Sequence, residues 1–137
     1  MAHDRDHLPL VYSCSGCSSA AQLANHLAVR LDRANQAEMS CIAGVGGDVK
    51  SLVRKALDAT RAKRPVIVID GCALECARHC LERHDVVATD HVLLAEAGVR
   101  KVHHADFDPD QAERLYEALA RKAQALTTAP LDSRSES

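Results

Sequence analysis

Pro65–Asp70 reads PVIVID, and Gly71–Cys80, GCALECARHC, follows at once. The first stretch is a β-branched apolar run with no polar alternation until Asp70. Such a run suits a strand buried on both faces, which is the environment of a central strand in a parallel sheet. The second stretch opens with a glycine and then turns helix-forming. The spacing predicts a helix from near Cys72 to near His84. A buried strand feeding directly into a helix is one half of a βαβ unit.

Working outward from this unit, the same alternation recurs. Upstream, Asp48 is read as the cap of a helix reaching about Ala62, with Leu52, Val53, Leu57 and Ala59 on its apolar face. Before it, Ala37–Val45, AEMSCIAGV, reads as a strand stopped by Gly44, Gly46 and Gly47. Ser18–Arg33 places Ala21, Leu23, Ala24, Leu27, Ala28 and Leu31 on one helical face, with Ser18 or Ser19 as cap. Leu8–Ser13 reads as a short buried strand. Downstream, His91–Glu96 is a fourth strand closed by Gly98. Asp108-Pro109-Asp110 then starts a last helix that runs from about Asp110 to Leu126. The order β-α-β-α-β-α-β-α predicts an α/β fold. We expect a three-layer αβα sandwich on a small parallel four-stranded sheet of order 2-1-3-4. One domain over residues 8–126 is expected, with flexible tails at 1–7 and 127–137. The ligand crevice of such a sheet lies at the carboxyl ends of its strands, where the winding reverses.

Composition narrows the function classes. The chain has 137 residues and is 47% hydrophobic, yet it holds only two Tyr, one Phe and no Trp. The core must therefore be aliphatic, and there is no aromatic platform for stacking bases. The 17 basic and 19 acidic residues are well mixed, so no basic stripe points to nucleic acid. The apolar runs are too short to span a bilayer. The polar start MAHDRDHLPL does not read as a secretory signal, so a cytoplasmic protein is expected.

That compartment keeps thiols reduced, so the six cysteines read as metal-binding or reactive groups rather than a disulfide framework. The plain alternative for any one of them is a small buried apolar side chain. With strand order 2-1-3-4, five of the six fall at one rim of the sheet. Cys14 and Cys17 follow the first strand, Cys41 is near the end of the second, and Cys72 and Cys76 follow the third. Helix N-termini at that rim would favour thiolates and offset part of the −2 charge of a zinc ion held by four of them. Gly16, Gly44 and Gly71 would let backbone amides approach the sulfurs. If the third helix begins at Cys72, Cys72 and Cys76 share one helical face. Cys80 would then lie about 12 Å beyond Cys72 along the axis, too far for one ion. Cys80 is thus an outer thiol, a member of a second site or a core residue. Asp70 beside Cys72 is read as a helix cap, with a general base as the alternative.

The segments CSG after the first strand, CIAGVGGD, IDGC…C and HVLLAEAGV.K, in this order over roughly residues 9–108, resemble the DGC-domain family of candidate zinc-binding proteins. Asp70-Gly71-Cys72 matches the motif that names it. The resemblance implies Cys14, Cys41, Cys72 and Cys76 as metal ligands. Cys17 and Cys80 fall outside that set and stand, with Asp70, as possible additional site residues.

Two functions compete. One is a zinc-binding protein whose thiolate site serves metal handling or sensing, with an iron–sulfur cluster as the less favoured occupant. The other is a thiol–disulfide or oxyanion reductase in which Cys14 attacks and Cys17 resolves. A cysteine phosphatase fits Cys72 to Arg78 in letters only, because ALECA is helix-forming rather than a glycine-rich phosphate cradle. None of the eight histidines stands out as a ligand; His103 or His104 reaches the rim only if the segment after the fourth strand folds back.

Overall fold

A computed structural model describes residues 5–127. The central strands are β1 (Leu10–Ser13) and β3 (Val66–Asp70), paired in parallel with Leu10 opposite Val66 and Ser13 opposite Ile69. β2 (Glu38–Met39) adds to the outer side of β1, and β4 (Asp90–Leu93) to the outer side of β3. The sheet is all parallel with order 2-1-3-4, as the alternation predicts.

The strands alternate between two cores. Val11, Ile67 and Ile69 face α1 (Ser19–Arg33) and α5 (Pro109–Leu126). Leu10, Tyr12, Val66 and Val68 face the other layer. That layer is built by α2 (Ile42–Gly46), α3 (Lys50–Arg61) and α4 (Cys76–Glu82). Every residue of β1 and β3 is buried, which is why neither strand shows a polar alternation. The Ser18 hydroxyl caps α1 by accepting the Ala21 N–H at 3.1 Å. Leu23, Leu27 and Leu31 of α1 are completely buried, each contributing about 1.5–3 kcal/mol.

β1, β3 and β4 begin at Leu10, Val66 and Asp90, one or two residues from the expected Leu8, Pro65 and His91, and four further boundaries differ. The strand expected over Ala37–Val45 pairs only at Glu38–Met39, because the Cys41 sulfur accepts the Gly44 N–H at 3.3 Å and turns the chain into α2. Asp48 does not cap α3. Its carboxylate is engaged by Arg83 and His84, its own φ is 62°, and α3 begins at Lys50. β4 ends at Leu93, and Leu94–Ala97 forms a 3-10 turn closed by Gly98 at φ 88°. The third helix starts four residues late, at Cys76, so Cys72 lies in a loop. Of the expected tails, Arg5–His7 are described, with Arg5 hydrogen-bonded to Asp32 at 3.1 Å. Residue 127 is also described, and the remaining tail residues lie outside the described range.

Candidate functional site

All six cysteines are free thiols, and five of them line the carboxyl rim of the sheet. Cys14 follows β1 directly, Cys41 follows β2 by two residues, and Cys72 follows β3 by two. Cys17 precedes the cap of α1, and Cys76 is the first residue of α4.

Three of the sulfurs rest on N–H donors. Cys14 Sγ accepts the Gly71 backbone N–H at 3.2 Å, which ties the end of β1 to the loop after β3. Cys41 Sγ accepts the Gly44 N–H. Lys101 Nζ lies 3.5 Å from Cys72 Sγ. Gly44 and Gly71 thus approach sulfurs as expected, whereas the Gly16 carbonyl accepts from Gln22 Nε2 at 2.6 Å. Gly71 has a further reason to lack a side chain. A Cβ there would come within 2.6 Å of the Ala20 carbonyl group at the start of α1.

The electrostatics of Cys14 run against the expected thiolate. Burial, the largest influence, pushes its thiol from 9.0 up to about 11. The Gly71 N–H pulls the other way, but nearby Asp70, Cys76 and Cys72 add to the rise. Desolvation of the charged form outweighs one hydrogen bond here. Burial also raises Cys80, with Cys76 adding to it. Because α4 begins at Cys76, the pair on successive turns of one helix is Cys76 and Cys80, not Cys72 and Cys76. The axial separation argued for Cys72 and Cys80 therefore does not apply. Cys80 is half-buried against α2, where a Cβ on Gly46 would stand 3.0 Å from its sulfur.

Asp70 is fully buried at the end of β3. Its carboxylate accepts the Ala77 N–H at 2.9 Å and the Arg78 N–H at 3.1 Å. It therefore caps the first turn of α4 from a strand seven residues back. The formal cap position is Glu75, in a left-handed conformation with φ 52° and no capping hydrogen bond of its own. The third partner of Asp70 is His91 Nε2 at 2.9 Å. The Nδ1 of the same ring faces Glu75 Oε1 at 3.5 Å. Arg78 Nε donates to Glu75 Oε1 at 3.0 Å, and this contact, helped by His91 and His79, holds the Glu75 carboxyl below its usual range.

His91 and Lys101 were not singled out from the sequence. Both sit inside the segment HVLLAEAGV.K, and their signal was the spacing that lets one residue reach β3 and the other the loop beyond it. The segment after β4 does fold back: the His104 N–H donates to the Cys17 carbonyl at 3.3 Å, and His103 bridges to Ser18.

As a donor set, thiolates suit a soft ion such as zinc or copper(I). Cys72 and Cys76 are near enough for their charges to act on Cys14. Among the described residues, however, no three His, Cys, Asp or Glu side chains stand close enough to hold a metal ion together. The residues fit in kind, and their sulfurs do not converge. No helix among the described residues is long and apolar enough to cross a membrane.

The DGC domain model matches residues 10–119. The anaerobic and virulence modulator AnvM of Pseudomonas aeruginosa is 58% identical over 116 residues, covering 85% of this chain and 86% of that protein. No solved structure matches the chain. The match spans all four strands, both residues of the Asp70–His91 contact and all six cysteines, and the chain belongs to the DGC-domain family.

Proposed function

We propose that this protein is a thiolate metal-site protein in which Cys14, Cys41, Cys72 and Cys76 hold a zinc ion at the carboxyl rim of the sheet. The observation that carries the reading is the setting of the sulfurs: Cys14, Cys41 and Cys72 lie at one rim, each beside an N–H donor. Donors of this kind orient and stabilise metal-bound thiolates from the outer shell. Holding an ion draws the sulfurs together from their present positions. The ion would supply the positive charge that these mutually repelling thiolates lack. The chain's own part is to present the sulfurs and place N–H groups behind them.

Handling or sensing suits this arrangement better than a structural staple. The two cores are built mainly from aliphatic side chains with Cys14 packed at their edge, and three of the six thiols are exposed. The relative's name describes a modulator of anaerobic behaviour and virulence, and a site that gains or loses a soft ion suits a modulator. Thiolate ligands must lose their protons to bind, so affinity should rise with pH.

Metal analysis of protein purified without added metal, paired with thiol counts before and after chelation, tests the reading. About one zinc per chain with about four protected thiols is expected. Metal-free protein that readily forms a Cys14–Cys17 disulfide would replace it with the thiol reductase, and a brown protein with an iron–sulfur cluster.

A further inference from the structure

The loop that carries Cys72 to Cys76 is held at both ends by one side chain on a different strand. Asp70 stands just before the loop and Glu75 closes it. His91 on β4 touches both, through Nε2 at 2.9 Å and Nδ1 at 3.5 Å. We infer that His91 is a positioning residue that clamps Asp70 to Glu75 and thereby fixes the Cys72–Cys76 loop and the first turn of α4.

Three observations lead to this assignment. First, Asp70 is completely buried, and its donors are the two backbone N–H groups of α4 and His91. A buried carboxylate without a full set of donors is costly, so His91 completes a requirement that the two N–H groups leave open. Second, Glu75 holds a left-handed φ of 52°. A non-glycine residue keeps such a conformation only where its surroundings impose it. Those surroundings are the Cys72 carbonyl, which accepts the Glu75 N–H at 3.0 Å, together with Arg78 and His91 on the side chain. Third, α4 has only seven residues and no capping side chain at its formal cap, so its start depends on this remote tie. The chain beyond β4 adds a second hold, since Lys101 reaches the Cys72 sulfur.

The consequence is specific to the one half-buried thiol of the loop, Cys72. Freeing the clamp lets the loop and the first turn of α4 open locally, which uncovers Cys72 while leaving the already exposed Cys76 and Cys17 as they were. The inference rests on reading Cys72 and Cys76 as a working pair. Its test is run on metal-free protein, so that failure to bind zinc leaves its outcome readable.

The experiment is site-resolved alkylation of the full chain by mass spectrometry, with wild type, His91→Ala and His91→Gln compared under native conditions. Loss of the His91 hydrogen bond should speed alkylation of the half-buried Cys72 about tenfold in His91→Ala. The Cys17 and Cys76 rates should stay within about twofold, since those thiols are already exposed. The Gln side chain offers an N–H to Asp70 and should restore most of the wild-type rates. An unchanged Cys72 rate in His91→Ala overturns the assignment. So does an equal rise at every cysteine, which would mark a general stabilising role, and so does a Gln variant that behaves like Ala. A parallel zinc titration of wild type tests the metal reading separately. No zinc binding with the expected alkylation pattern sinks that reading and keeps the clamp.

Discussion

The two strand-to-helix junctions at the rim, Ser13–Ser18 and Asp70–Cys76, look alike in outline and are held in different ways. Each leaves a central strand, carries two cysteines and opens a helix. The first is closed by its own residues. Ser18 caps α1, and α1 then runs for 15 residues with its leucines in the core. The second opens a helix of seven residues through a left-handed Glu75, and its cap is the carboxylate of a residue on the preceding strand. That carboxylate is steadied by His91 on the next strand. A junction stabilised by local capping and a long packed helix resists opening. A junction stabilised by a few tertiary ties can open alone. The cysteine pair with the freer geometry is thus Cys72 and Cys76.

The largest expected effect is on Asp70. Asp70→Ala removes a buried carboxylate and strands two backbone N–H groups and one imidazole. The loss should be about 3–5 kcal/mol, the usual cost of removing one partner of a buried charged network. Ser18→Ala, the equivalent cap at the first junction, should cost about 1 kcal/mol. Urea denaturation of both variants measures the difference. Equal losses would break the comparison, because both helices would then depend on their caps to the same degree.

Gly71→Ala acts where the junctions touch. Its Cβ would meet the Ala20 carbonyl group at 2.6 Å, and backbone cannot swing aside as a side chain can. We expect a loss of about 1–3 kcal/mol. The Gly71 N–H also holds the Cys14 sulfur, so the substitution should raise hydrogen exchange in the first turn of α1 as well as in the loop after β3. Faster exchange at the second site alone would show that the two junctions are independent.

The same contrast explains what could be read from the sequence. Where local signals and core packing agree, sequence and structure coincide: a serine cap at Ser18 or Ser19, found at Ser18; the buried run Pro65–Asp70, which pairs from Val66; Asp108 before the last helix; and the strand order. Where tertiary contacts override local preference, sequence and structure part. CALECARHC has good helix formers from its first residue, yet Asp70 caps the chain at Ala77 and Arg78 and delays α4 to Cys76. Asp48 looks like a helix cap in the sequence but is taken by Arg83 and His84. Cys41 looks like strand, but its sulfur caps α2. The capping role of Asp70 was legible, whereas its distance from the capped helix was not. The gathering of five thiols at one rim followed from topology alone. The direction of the Cys14 shift did not, because burial cannot be read from a cysteine's neighbours in sequence.

The smallest effect in folding energy concerns Cys14 and Cys17, and it separates burial from exposure within the first junction. The folded-state value for Cys14 lies near 11, against 9.0 for a free thiol. Each unit of that rise cuts the thiolate fraction about tenfold at neutral or mildly alkaline pH, so at pH 8 Cys14 in the folded chain should react with iodoacetamide about a hundredfold more slowly than in urea. Cys17 is exposed and should react at nearly the same rate in both states. The sign for stability follows. The folded state favours the neutral thiol, so the contribution of Cys14 is complete below about pH 9 and is lost as pH rises towards 11. A Cys14→Ala variant should therefore show a flatter fall in stability over that window than wild type. If the two cysteines react alike at pH 8, Cys14 is not shielded as its burial implies, and the first junction is as open as the second.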